Sequence, residues 1–184
     1  MKADLKRPSW YSEDPTAEAI EALSLLNGVW SEAAARFAAI RAVQEAKGRI
    51  TILGMQKHIN KIIDERFPSN DWEGNNSRYR KGDTWVRITF RHQMSVGAEL
   101  FDVIKMTGKE RVKQSLLLAA SKDFLKIISP RDAGALTSFE KLAQEMSYLG
   151  GTTEVPLILG CLTPISALSG PVHELVYGPR LRGE

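Results

Sequence analysis

Two stretches, SLLLAA (115–120) and VPLILGCL (155–162), run apolar almost without a break, and they constrain the fold more than any other feature of the chain. A strand with one face in water alternates apolar and polar residues, whereas an unbroken apolar run must be covered on both faces. Between the two lies SFEKLAQEMSYL (138–149), with Phe139, Leu142, Met146 and Leu149 spaced for one helical face and Gly150-Gly151 to end it. Buried strands separated by a helix imply a layered α/β sheet covered on both sides.

The rest of the chain supplies the remaining layers. TWVRITFR (84–91) alternates, so Val86, Ile88 and Phe90 share one face of a strand while Trp85, Arg87, Thr89 and Arg91 share the other. AELFDVIKM (98–106) suits a helix, and FLKIIS (124–129) is either a strand extension or a connection. Upstream, MQKHINKIIDERF (55–67) places Ile59, Ile62 and Ile63 at helical spacing before Pro68, and SNDWEGNNSR (69–78) reads as a loop. TAEAIEALSLL (16–26) is a helix capped by Thr16 and ended by Asn27-Gly28. Ser31 can cap a second helix over 31–48, with Ala34, Phe37, Ala38 and Ile40 on its buried side. RITIL (49–53) is a short strand candidate, and residues 1–15 form a loose arm pinned by Trp10 and Tyr11. The expected fold is α/β: a layered α/β/α core with a mixed central sheet over 49–184, and an arm and helices over 1–48 packing on it, one domain overall. The aromatics Trp72, Trp85, Phe90, Phe101 and Phe139 are expected in the core or the wall of a cleft.

Composition excludes several classes. With 184 residues and a formal net charge of +3, the chain suits a nucleic-acid partner and does not suit an acidic DNA mimic. One cysteine, Cys161, cannot form an internal disulfide, which points to the reducing cytosol and to a small buried hydrophobe. No signal-type or membrane-spanning run is present in the sequence, so no membrane partner is expected. GGTTEV follows a helix rather than opening one, so it fails as a phosphate loop. His58, His92 and His173 show no metal-ligand spacing with one another or with Cys161.

The order of the elements and several residue patterns resemble one family. HINKIIDERFPSNDWEGNN (58–76), KGDTWVRITF (81–90), AELF (98–101), SLLLAASKDFL, SFEKLAQEMSYL and EVPLILGCL are similar, in sequence order, to segments of the BglII-type restriction endonucleases, a branch of the PD-(D/E)XK nuclease superfamily. The resemblance covers roughly residues 55–165. It implies a restriction-endonuclease-like fold, a homodimer, and Mg²⁺-assisted hydrolysis of duplex DNA through an Asp on one strand and an acidic residue followed two positions later by Lys, Gln or Glu on the next. Here the acidic position falls on Arg87, the position two later on Thr89, and the upstream Asp near Arg78. All three matching positions depart from the pattern, so the usual Mg²⁺ site is not expected and no catalytic residue or cofactor is assigned.

What remains is a basic cluster, Arg78, Arg80, Lys81, Arg87, Arg91 and His92, opposed only by Asp83. It reads as a phosphate-contacting cleft on duplex DNA, with Arg87 in the space of the metal, or as a solvated edge hairpin. The favoured expectation is a nuclease-silent DNA-binding homodimer, regulatory or accessory to a defence or mobile-element system. Two rivals stand beside it. One is an active Mg²⁺-dependent endonuclease with its ligands relocated to Glu99 and Asp102, three apart on one helical face. The other is a protein-interaction module that has lost DNA and binds a protein partner.

Overall fold

The computed structural model describes residues 1–6, 13–47, 55–110, 112–129, 132–148 and 156–163. Its elements, in chain order, are β1 (Lys2–Lys6), α1 (Ala17–Leu25), α2 (Val29–Ala46), α3 (Gln56–Arg66), β2 (Glu73–Asn75), β3 (Arg78–Lys81), β4 (Thr84–Thr89), α4 (Val96–Glu110), β5 (Gln114–Ala120), α5 (Lys122–Ile128), α6 (Phe139–Tyr148) and β6 (Leu157–Thr163). The strands form one sheet in the order β1-β6-β5-β4-β3-β2. The pairings of β4 with β5 and of β5 with β6 are parallel, and the outer pairings are antiparallel.

Both unbroken apolar runs are central parallel strands, and every residue of β5 is buried. One core lies on the face where Val86, Ile88, Leu116, Leu118 and Ile158 meet Ala19 and Ala22 of α1, Trp30 and Phe37 of α2, Ile59, Ile62 and Ile63 of α3, and Phe124 and Leu125 of α5. A second lies on the opposite face, where Trp85, Leu117, Ala119, Leu157 and Leu159 meet Leu100 and Val103 of α4 and Phe139, Leu142 and Met146 of α6. The two clusters make the expected layered α/β/α core with a mixed sheet, and α1 and α2 are the helical region packed on one face. Gly160 sits where β1, β6 and β5 come closest: an added Cβ would lie 3.3 Å from Leu5 Cδ2 and clash outright with Leu118. Among the described residues no helix is long and apolar enough to cross a membrane.

Several local expectations are corrected. Residues 2–6 are not a loose arm but edge strand β1, paired from Lys2 opposite Thr163 to Lys6 opposite Leu159. The second helix starts at Val29, with Ser31 inside its first turn, because fully buried Val29 and Trp30 draw the chain into the helix directly after the turn at Gly28 (φ +75°). Ile40 on that helix is 41% exposed rather than buried. FLKIIS is mostly the short helix α5: Ser121 Oγ accepts from Phe124 N at 3.1 Å, and Phe124, Leu125 and Ile128 fall on one helical face. The 69–78 loop contains a 3-10 turn ending at Asn70 and the short edge strand β2. Phe101 is not core but 74% exposed on α4. RITIL, Trp10 and Tyr11, Leu149, GGTTEV and the chain after Thr163 lie outside the described residues.

Candidate functional site

The β3–β4 hairpin sorts the basic cluster by its pleat. Arg78 pairs with Arg87 and Arg80 with Trp85, while Tyr79 pairs with Val86 and Lys81 with Thr84. Alternation therefore sends Arg78, Arg80 and Arg87 toward the α4 layer, and Tyr79 and Lys81 toward α1 and α3. The ion pairs follow this division.

At the centre, Arg87 and Glu99 form a two-pronged pair, Nε to Oε2 at 2.5 Å and Nη2 to Oε1 at 2.9 Å, with the side chains only 3% and 0% exposed. Arg87 Nη1 also donates to Asn76 O at 2.8 Å. Two such parallel N–H···O bonds are the geometry a planar guanidinium makes best with a carboxylate. Arg91 lies beside the pair with its Nε 3.6 Å from Glu99 Oε1, but it is 52% exposed. Arg78 pairs with Asp102, one helical turn after Glu99. On the other side of the hairpin, Asp64 of α3 accepts from Ser77 N at 3.1 Å and from the Tyr79 hydroxyl. Burial and the Asp64 carboxylate push the Tyr79 phenol well above its ordinary pKa, so it remains a donor.

Of these groups, Asp64, Asn76, Ser77, Arg78, Arg87 and Arg91 line an open cleft of about 440 Å³ between α3 and the hairpin, completed by Gln56, Asn60, Asn75, Ile88 and Phe90, while Glu99, Asp102 and Tyr79 lie behind its lining. Three of the six residues singled out in the sequence, Arg78, Arg87 and Arg91, meet there. The other three stand outside its lining. Lys81 Nζ binds the Glu21 carboxylate at 2.8 and 2.9 Å and donates to Asn70 O. Arg80 Nε donates to Gly82 O. His92 Nδ1 accepts from Met94 N at 3.2 Å and caps a 3-10 turn, Gln93–Ser95. Sequence reasoning passed over Gln56, Asn60 and Asp64. Their spacing of four along α3 makes a polar stripe beside the buried isoleucines, and that stripe was the available signal.

The donor set does not fit a divalent metal. Mg²⁺ needs an octahedron of oxygen ligands. Here the Glu99 carboxylate is filled by Arg87, Asp102 is held by Arg78, and Asp64 is held by Tyr79 and Ser77. The guanidinium groups would repel a further cation. Thr89 is fully buried, and its Oγ1 accepts from Arg91 N at 3.3 Å. Among the described residues no group of three or more His, Cys, Asp or Glu side chains could hold a metal.

No family model matches the chain, and no curated protein matches it. Among solved structures it is similar to the restriction endonuclease BglII in complex with a DNA 16-mer, with a TM-score of 0.46 and 13% identity over 58% of this chain and 54% of that one. The match spans about half the length of that enzyme. An overlap of this extent assigns no residue and no activity here.

Proposed function

We propose that this chain is a duplex-DNA-binding protein on a restriction-endonuclease-like core, with the metal-dependent cutting chemistry lost. The buried Arg87–Glu99 fork carries the reading: a guanidinium occupies the heart of the cleft, and the carboxylate beside it is fully engaged. The relocated-ligand endonuclease would need Glu99 and Asp102 as ligands, and both are held by arginines.

Arg91, half exposed at the cleft, is the leading phosphate contact, with Arg78 beside it. Exposed Lys57 and Lys61 on α3 extend the positive edge. Arg87 holds the floor instead of reaching phosphate, and Arg80, Lys81 and His92 flank the site. Homodimerisation places two such clefts across two-fold-related DNA. Exposed Phe101 and Ile104, three residues apart on α4, offer an apolar surface for a second copy. The same surface is what favours the rival reading, a module that binds a protein partner and no DNA.

The test is duplex affinity as a function of salt, for the unmodified protein and for Arg91→Glu. The expected result is salt-dependent binding whose log–log slope falls by about one with Arg91→Glu, as loss of one phosphate contact requires. Affinity without salt dependence, or none at all, refutes the assignment.

A further inference from the structure

We propose that the Arg78–Asp102 pair is a releasable tie at the cleft: a backbone phosphate of bound duplex draws the Arg78 guanidinium away from Asp102, and Asp102 thereby sets how tightly the protein holds DNA. The inference rests on the cleft facing DNA, and it says what restrains that binding.

Arg78 of β3 and Arg87 of β4 are directly opposite each other in the hairpin, on the face toward α4. Like charges placed in this way repel. Helix α4 answers with two carboxylates on one face, Glu99 for Arg87 and Asp102 for Arg78. The two pairs share a chemistry and differ in their surroundings. Arg87 and Glu99 are both buried, and Arg87 is engaged through Nε, Nη2 and Nη1. Parting them would strand a buried charge, so this pair stays closed. Arg78 and Asp102 are 42% and 30% exposed, and Arg78 reaches its partner through Nη2. An ion pair with that much water around it holds its members together by a factor of about five at most.

The tied position also leaves a donor unused. Arg78 Nε is buried and has no hydrogen-bond partner among the described residues. A buried N–H without an acceptor is unfavourable, and the cost ends when the guanidinium turns outward and that N–H meets an acceptor. Arg78 lines the cleft and Asp102 lies behind its lining, so release carries the cation toward the space that faces DNA. Phosphate offers a guanidinium two oxygens at once, the geometry it makes best, and the Nη2 contact to Asp102 does not use that geometry. Arg91 needs no such exchange, because Glu99 is already filled by Arg87. Removing the Asp102 charge should therefore strengthen duplex binding, and should do so only while Arg78 is present.

The test is duplex affinity against salt for the unmodified full-length protein, Asp102→Asn, Glu145→Gln, Arg78→Gln and the double variant Arg78→Gln/Asp102→Asn. Glu145 pairs with Lys141, and neither lines the cleft, so Glu145→Gln makes the same change of net charge without touching the tie. Thermal melts check that each variant is folded, and Asp102→Ala makes the Asp102 comparison independently. The inference expects Asp102→Asn to bind duplex about threefold to fivefold more tightly than the unmodified protein. Its log–log salt slope should steepen by up to about one, as one further phosphate contact requires. Glu145→Gln should gain less. In the Arg78→Gln background, Asp102→Asn should gain no more than Glu145→Gln does. A gain no larger than that of Glu145→Gln, a loss of affinity, or a gain that survives Arg78→Gln overturns the tie. Any of these alongside salt-dependent duplex binding by the unmodified protein leaves the DNA-binding reading intact. Absence of duplex binding by the unmodified protein and by every variant removes both.

Discussion

Replacing Glu99 by Gln keeps the size of the side chain and removes its charge, leaving the Arg87 guanidinium buried with only a neutral amide and Asn76 O for company. Two unit charges about 4 Å apart at an effective dielectric of about 20 interact by about 4 kcal/mol. Breaking one partner of a buried pair costs about 3–5 kcal/mol in measured cases. The pair here is at the buried extreme, 3% and 0% exposed, with two hydrogen bonds of 2.5 and 2.9 Å. Glu99→Gln should therefore destabilise the protein by about 3 kcal/mol or more, read as a shift in the midpoint of urea unfolding at constant slope. Arg87→Ala should cost less than Glu99→Ala, because Arg91, with its Nε 3.6 Å from Glu99 Oε1, remains to neutralise the carboxylate. The double replacement Arg87→Met/Glu99→Leu should recover most of the loss, since an apolar pair of similar volume avoids desolvating two charges. A loss below about 1 kcal/mol for Glu99→Gln, or a double replacement as destabilised as the sum of the singles, would refute the claim that this pair is the buried floor of the cleft.

Two further outcomes follow from the packing of α1, α2 and α3. The Arg66 guanidinium beside Glu32, and that of Arg36 beside Glu65, hold both carboxyls below their ordinary value of 4.5. The unfolded chain then binds more protons than the folded one, so this stabilisation is complete above pH 4.5 and is lost as pH falls through the lower folded values; the melting temperature should drop in that acid range, and Glu32→Gln should flatten the drop. Thr16 caps α1 by accepting from Ala19 N at 3.1 Å and shares a 2.8 Å hydrogen bond with Thr84 on β4, so Thr16→Ala should cost about 1–2 kcal/mol in the same denaturation assay.

The parts of this fold that could be read locally were those where one interaction decides the structure. The unbroken run Leu116–Ala120, preceding a connection and lacking any polar position, fits a doubly covered strand, and Thr16 before a stretch of good helix formers fits a cap. Strand β1 could not be read this way, because its partner β6 lies more than 150 residues further along the chain. Helix α5 has only seven residues, too few for a 3.6-residue period to separate itself from a strand pattern. The same limit governed the site. The basic cluster was visible in sequence, and its division by the pleat follows from period two alone. What each arginine is doing was not visible, because Glu99 and Asp102 of α4 and Asp64 of α3 come from other elements. Their spacing placed Glu99 and Asp102 on one face but could not say that the face meets Arg87 and Arg78.

The central claim is a cleft that retains DNA and does not cut it, and a selection on randomised duplex DNA tests it most directly. The purified protein is incubated with the pool in EDTA and in Mg²⁺, and both retained and cleaved molecules are recovered and sequenced. The account predicts retained, uncut duplex in both buffers, enriched in a two-fold-related sequence. New ends that appear only with Mg²⁺ would show that the carboxylates around Arg87 do bind metal and would contradict it.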